Sequence, residues 1–161
     1  ISTSNAMMKV SALLLMLLSF ATFAQKKQED KDLVRQKVES YYKGYLNNDA
    51  KEIVAAFDLE NGHLKALQKD TATQKEFVRV YPMEQVAERW ANKTPFTDAQ
   101  KAVSYLKILS MDILQGELAV VKVELKSGEK LFIDYLSLYK INEEWKIVNK
   151  VFVEVKPTKK K

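Results

Sequence analysis

The spacing of apolar and polar positions changes character along this chain, and each change marks a structural unit. From Glu29 to Asn48 the apolar and aromatic positions Leu33, Val34, Val38, Tyr41, Tyr42, Tyr45 and Leu46 recur every three or four residues, with the Lys37 stem among them. This is the signature of one long amphipathic helix. Asn47-Asn48-Asp49 interrupts it. Ala50–Phe57 then sets Ile53, Val54 and Phe57 at helical spacing, with Asp49 placed as N-cap and Glu52 three residues on. Asp58–Gly62 reads as a turn, His63–Leu67 as a short strand and Lys69–Thr73 as another turn. Pro82 suits the first turn of a helix that runs to Trp90 or Ala91, because proline has no amide hydrogen to satisfy there. Met83, Val86, Ala87 and Trp90 form its apolar face, and Asn92–Asp98 with Pro95 is a loop.

From Lys101 onward the period becomes two. Ala102–Leu114, Leu118–Leu125, Leu131–Ile141 and Glu144–Val155 are four strands, separated by Gln115-Gly116, by Lys126–Glu129 and by Asn142-Glu143. Short loops between successive strands specify an antiparallel meander. Helices first and a long antiparallel sheet afterwards define an α+β fold whose sheet buries one face against the helices. Pro157 and the terminal lysines are expected to fray.

Composition narrows the chemistry. The chain has 161 residues, 47% hydrophobic and 29% charged, which suits one domain. With no cysteine, a disulfide framework, a thiol nucleophile and a cysteine-bearing zinc site are excluded, and a single histidine excludes a histidine-rich metal centre. No metal or cofactor is implied. The net charge of +5 comes from lysines spread over the chain and gathered near its ends, not from a basic stripe, so no nucleic-acid partner is expected. There is no glycine-rich phosphate loop and no nucleophile elbow.

The first residues stand apart. Ile1–Ala6 precede a Met-Met pair and read as a vector-derived remnant. Residues 7–24 carry Lys9, the apolar run Val10–Phe23 and the small residue Ala24, the layout of a secretory signal peptide. The run is shorter than the roughly 20 residues a bilayer span requires. A periplasmic or secreted protein follows, with no stable membrane anchor after cleavage and with a single domain over 25–161. If the segment is retained, Leu13–Leu18 is expected to seek an apolar groove, that of a neighbouring copy included.

The last two hairpins carry a resemblance. Gly116–Leu125, then Asp134-Tyr135-Leu136-Ser137-Leu138-Tyr139-Lys140-Ile141, then Trp145–Phe152 resemble the "putative lumazine-binding" family of the NTF2-like superfamily, and more broadly SnoaL-like and ketosteroid-isomerase-like proteins. Tyr42–Tyr45, Asn48-Asp49, Val54–Phe57 and Pro82–Val86 agree with the opening helices. The resemblance implies a cone: N-terminal helices packed on a curved, mainly antiparallel sheet, a pocket between them, and a homodimer. It implies little chemistry, because this fold hosts isomerases, dehydratases, binding modules and inert scaffolds. Many relatives have a histidine directly after the phenylalanine of the second helix; here Asp58 follows Phe57.

Candidate site residues follow from the pattern. Asp134 shares its strand face with Leu136 and Leu138, so its carboxylate is directed at the concave side, where a general acid or base would be made. His63, the lone histidine, is its candidate partner in a catalytic dyad. Tyr42, Tyr45, Trp90, Phe96, Tyr105 and Tyr135 are candidate walls for a flat ligand. Asn149 alternates with Ile147 and Val151, which directs its amide inward, toward a ligand or Asp134. Lys140 and Lys150 are expected at rim or solvent positions.

Three functions remain open: binding of a small, partly aromatic or apolar molecule; a cofactor-free isomerase or dehydratase using Asp134 and His63; and a structural or interaction dimer with a vestigial pocket. A cavity holding the Asp134–His63 pair favours the enzyme, a cavity without it favours binding, and a cavity plugged by Trp90 favours the structural role.

Overall fold

The computed structural model describes the backbone of residues 2–156 and the side chains of residues 24–156. The signal-peptide reading, the remnant over 1–6, the groove-seeking Leu13–Leu18 segment and the fraying tail from Pro157 therefore concern residues or side chains outside those described. Helix α1, Ser2–Asn47, begins well before the expected Glu29. No glycine or proline precedes Gly44, so nothing in the sequence breaks the helix earlier.

The order continues α2 (Ala50–Ala56), β1 (His63–Lys69), β2 (Glu76–Pro82), α3 (Met83–Asn92), α4 (Asp98–Ala102), β3 (Tyr105–Leu114), β4 (Leu118–Ser127), β5 (Lys130–Ile141) and β6 (Glu144–Glu154). The α+β expectation holds: N-terminal helices pack against one curved six-stranded sheet of order β2-β1-β6-β5-β4-β3. The C-terminal meander forms as read, while β1 pairs parallel with β6 and every other neighbour is antiparallel. Two elements go beyond the sequence reading. Strand β2 extends the sheet edge. The short α4 follows the expected Asn92–Asp98 loop and takes the first residue of the expected Ala102–Leu114 strand, which begins at Tyr105; a capping box between Thr97 and Gln100 holds it.

Local chemistry sets the corners. Asn48 adopts φ 57° at the end of α1, and Asp49 caps α2 by accepting from the amides of Lys51 and Glu52. At Gly62, an added Cβ would lie 2.2 Å from the Asp58 carbonyl oxygen, so only glycine fits that close turn. Val34, Val38, Tyr41, Ile53, Phe57, Met83 and Val86 from the helices bury against Ala119, Val121, Val123, Leu136, Leu138, Trp145 and Ile147 of the sheet. The face read from the α1 sequence is the face that is buried.

Two bulges redirect the sheet. Leu109 is extra on β3, and Val148 is extra on β6, where Ser137 pairs with Asn149 but Leu138 with Ile147. The second matters most. Trp145 and Ile147 face inward before the bulge, and Lys150 and Phe152 face inward after it.

Candidate functional site

The concave face of the sheet, α1 and α3 line an open-mouthed cavity of about 360 Å³. Helix α1 contributes Tyr41 and Tyr45; α3 contributes Val86, Arg89 and Trp90, with Lys93 just beyond it. Strand β1 supplies Leu64, Ala66 and Gln68, β2 supplies Tyr81, and Leu125, Phe132, Lys150 and Phe152 complete the wall. Each strand presents alternate residues, as the pleat requires.

The aromatic wall is a connected cluster. Tyr41 stacks on Trp90 at 5.6 Å between ring centroids, Tyr45 meets Trp90 edge-on at 5.1 Å, and Phe57 packs edge-on to both Tyr41 and Trp90. Asn48 fixes the helix ends around it, its amide donating to the carbonyls of Trp90 at 3.0 Å and Lys93 at 2.7 Å.

Beneath the cavity lies a buried polar cluster. Asp134, fully buried, accepts at Oδ2 from the Tyr41 hydroxyl at 2.8 Å and from Lys150 Nζ at 2.5 Å. Its Oδ1 has no partner among the described residues. Burial pushes the Tyr41 hydroxyl well above its ordinary pKa, and the charge and hydrogen bond of Asp134 add to the effect. Burial lowers the Lys150 pKa, and Asp134 counters it.

The structure thus separates residues the sequence grouped. Asp134 is inward, as expected from its register with Leu136 and Leu138. His63 precedes the inward Leu64, pairs with Asn149 and Pro82, and lies on the outer sheet face, so the Asp134–His63 dyad does not form. Asn149 also faces outward, because the Val148 bulge reverses the parity on which its inward assignment rested. Its Oδ1 is buried without a partner among the described residues and cannot serve Asp134. The same reversal corrects the rim assignment of Lys150, which is buried.

Of the expected aromatic walls, Tyr45 and Trp90 line the cavity. Phe96 stands behind Tyr45, edge-on at 5.9 Å. Tyr42 packs against the core away from the cavity. Tyr105 and Tyr135 are exposed on the outer face, where Tyr105 donates to Glu124 and Tyr135 lies under Lys122. Adjacent residues of a strand face opposite sides, so an inward Asp134 requires an outward Tyr135. Lys140 is no rim residue either: its largely buried Nζ lies 2.8 Å from Asp30 on α1, away from the cavity.

Sequence reasoning missed Gln68, Tyr81, Arg89, Lys93, Phe132, Lys150 and Phe152. Tyr81 was hidden because β2 was not recognised: Phe77 and Val78 are adjacent, and only Val78-Arg79-Val80 alternates. Arg89 stands on α3 beside Trp90, and Lys93 is the residue at which the helix ends, so the two bracket Trp90.

The residues 29–153 match the family described as "Putative lumazine-binding". The chain belongs to this family. Solved structures agree in fold. An NTF2-like protein of unknown function from Shewanella baltica OS155 is 15% identical with a TM-score of 0.65, over 80% of this chain and 96% of that one. One from Methylobacillus flagellatus KT is 23% identical with a TM-score of 0.63, over 80% and 94%. One from Silicibacter pomeroyi DSS-3 is 18% identical with a TM-score of 0.62, over 80% and 98%. No curated protein matches the sequence.

Proposed function

We propose that this protein is a non-catalytic binding protein that holds one small, partly aromatic molecule in the cavity between α1, α3 and the sheet. The observation that carries the reading is a cavity of about 360 Å³ walled by Tyr41, Tyr45, Trp90, Phe132 and Phe152, within the size range of small-molecule sites. Trp90 forms one wall of the space and does not fill it. The enzyme reading loses its support, since His63 and Asp134 lie on opposite faces and Asp134 Oδ2 is already engaged by Lys150 Nζ and the Tyr41 hydroxyl. A flat heteroaromatic such as the lumazine of the family description suits stacking against Tyr45 and Trp90.

Export to the periplasm or beyond belongs to the same proposal, supported by the Val10–Phe23 run before Ala24. So does a homodimer: Val120, Tyr135, Val151 and Val153 are exposed on the outer sheet face.

Native mass spectrometry of protein purified from its own host tests the binding reading. A retained small molecule is expected, and Ala66→Trp, which directs an indole into the cavity, should expel it while the variant stays folded. Protein that carries no molecule and gains no thermal stability from lumazine or a panel of aromatic compounds would overturn the proposal.

A further inference from the structure

The charges around the cavity are one-sided. Among its lining residues are Arg89, Lys93 and Lys150, and no carboxylate. Lys150 is neutralised from behind by Asp134. Arg89 and Lys93 are not: among the described residues neither lies within salt-bridge distance of an acid, although Glu84 and Glu88 stand on the same helix as Arg89. Arg79, exposed on the same side of β2 as Tyr81 and at the edge of the cavity, not in its lining, lacks an acidic partner among the described residues in the same way.

These cations are held against aromatic rings, and Lys93 Nζ also donates to Asn48 Oδ1 at 3.3 Å. The guanidinium carbons of Arg79 and Arg89 lie 5.2 and 4.9 Å from the centroid of the same Tyr81 ring. Tyr81 lines the cavity, and its hydroxyl accepts from Gln68 at 2.6 Å. Lys93 Nζ lies 3.9 Å from the Phe96 ring and 5.0 Å from the Tyr45 ring. Stacking on a ring positions a guanidinium without using its N–H donors, which stay available in a planar fork. Both guanidiniums stand about one ring's reach from Tyr81, so an anion bound beside that ring meets two positive charges.

We propose that the ligand of this pocket is a carboxylate with an aromatic body, its anionic head at Arg79 and Arg89 and its rings against Tyr45 and Trp90. This rests on the binding reading above and specifies its ligand class. Guanidinium and carboxylate meet through paired, charge-assisted hydrogen bonds, whereas a neutral molecule of the same shape leaves those donors to water. The net charge of +5 favours the approach of such an anion.

Calorimetric titration with a matched pair, 2-naphthoate and 2-naphthamide, tests the proposal. The naphthoate is expected to bind about tenfold or more tightly than the amide, as one charge-assisted pair supplies. Added salt should weaken the naphthoate and leave the amide nearly unchanged. In the Arg79→Gln/Arg89→Gln variant the ratio of the two affinities should fall toward one. Equal affinities in the unmodified protein overturn the anion proposal while leaving the binding reading in place. Binding of neither probe counts against both. A naphthoate preference that survives in Ala66→Trp places the anion outside the cavity and also overturns the proposal.

Discussion

Lys150 Nζ lies 2.5 Å from Asp134 Oδ2, a buried ion pair between the adjacent strands β6 and β5, on the far side of the one-residue bulge at Val148. Asp134 pairs across the sheet with Phe152, and Lys150 with Leu136, so the two charged side chains meet diagonally on the inner face. The Tyr41 hydroxyl donates to the same oxygen, which ties α1 to the sheet beneath the cavity.

Removing one member of this pair should cost more than removing both. Lys150→Met leaves Asp134 buried without its cation, and a loss of about 3–5 kcal/mol is expected for such a change. The Asp134→Leu/Lys150→Met double variant should be clearly more stable than the sum of the two single losses. Urea denaturation of the four proteins in a double-mutant cycle checks this, and additive losses would contradict it.

About three turns before Tyr41 on α1, Asp30 accepts from Lys140 Nζ at 2.8 Å and from Trp145 Nε1 at 3.1 Å. Burial acts to raise the Asp30 pKa, but the hydrogen bonds from Lys140 and Trp145 and the charges of Lys140 and Lys26 outweigh it and hold the carboxyl below 3.8. Its contribution is therefore present above that value and is lost as pH falls through the lower folded-state pKa. Lys140 is raised above 10.5, chiefly by its hydrogen bond to Asp30, so its contribution is present below that value and is lost as pH rises through the higher folded-state one. Asp30→Asn should be less stable than the natural protein at neutral pH, and the gap should close below the ordinary aspartate pKa. Denaturation midpoints across the acid range measure the gap.

Gly116 makes room for that same carboxylate. It has φ +69°, and an added Cβ would stand 3.0 Å from Asp30 Oδ2. Gly116→Ala is expected to cost about 1–2 kcal/mol through backbone strain and crowding together. In an Asp30→Ala background the crowding is gone, and the cost should fall toward the backbone part alone, as thermal or urea unfolding will report.

Asn48 combines two tasks that can be separated by substitution. Its φ of 57° ends α1, and its amide donates to the α3 carbonyls of Trp90 and Lys93. Asn48→Gly keeps the backbone freedom and loses the bonds, whereas Asn48→Ala loses both. Each lost element is worth about 1 kcal/mol, so Asn48→Ala should be the less stable by that margin. Because these bonds hold α3 at the cavity, both variants should also bind aromatic probes more weakly, which calorimetry can follow.

Periodicity alone placed most of the elements. The three- and four-residue spacing from Leu33 to Leu46 located the buried side of α1, and alternation with Leu136 and Leu138 turned Asp134 inward, because β5 runs without interruption at that point. Asp49 as the α2 cap and the tight turn before His63 were equally legible, since each depends on residues within one turn of the chain. Strand β2 and helix α4 were not, being short elements stabilised by β1 pairing and by a single capping box.

What the amino-acid order determined, then, is the α+β plan, the meander and the inward carboxylate, all consequences of local geometry and period. The tertiary structure decided the site. One extra residue, Val148, exchanges the faces of everything after it, bringing Lys150 and Phe152 inward and sending Asn149 out. The parallel pairing of β1 with β6 sets His63 on the outer face and Leu64, Ala66 and Gln68 on the cavity side. Bulges and strand partners arise from contacts between segments far apart in sequence, and no period within either segment records them.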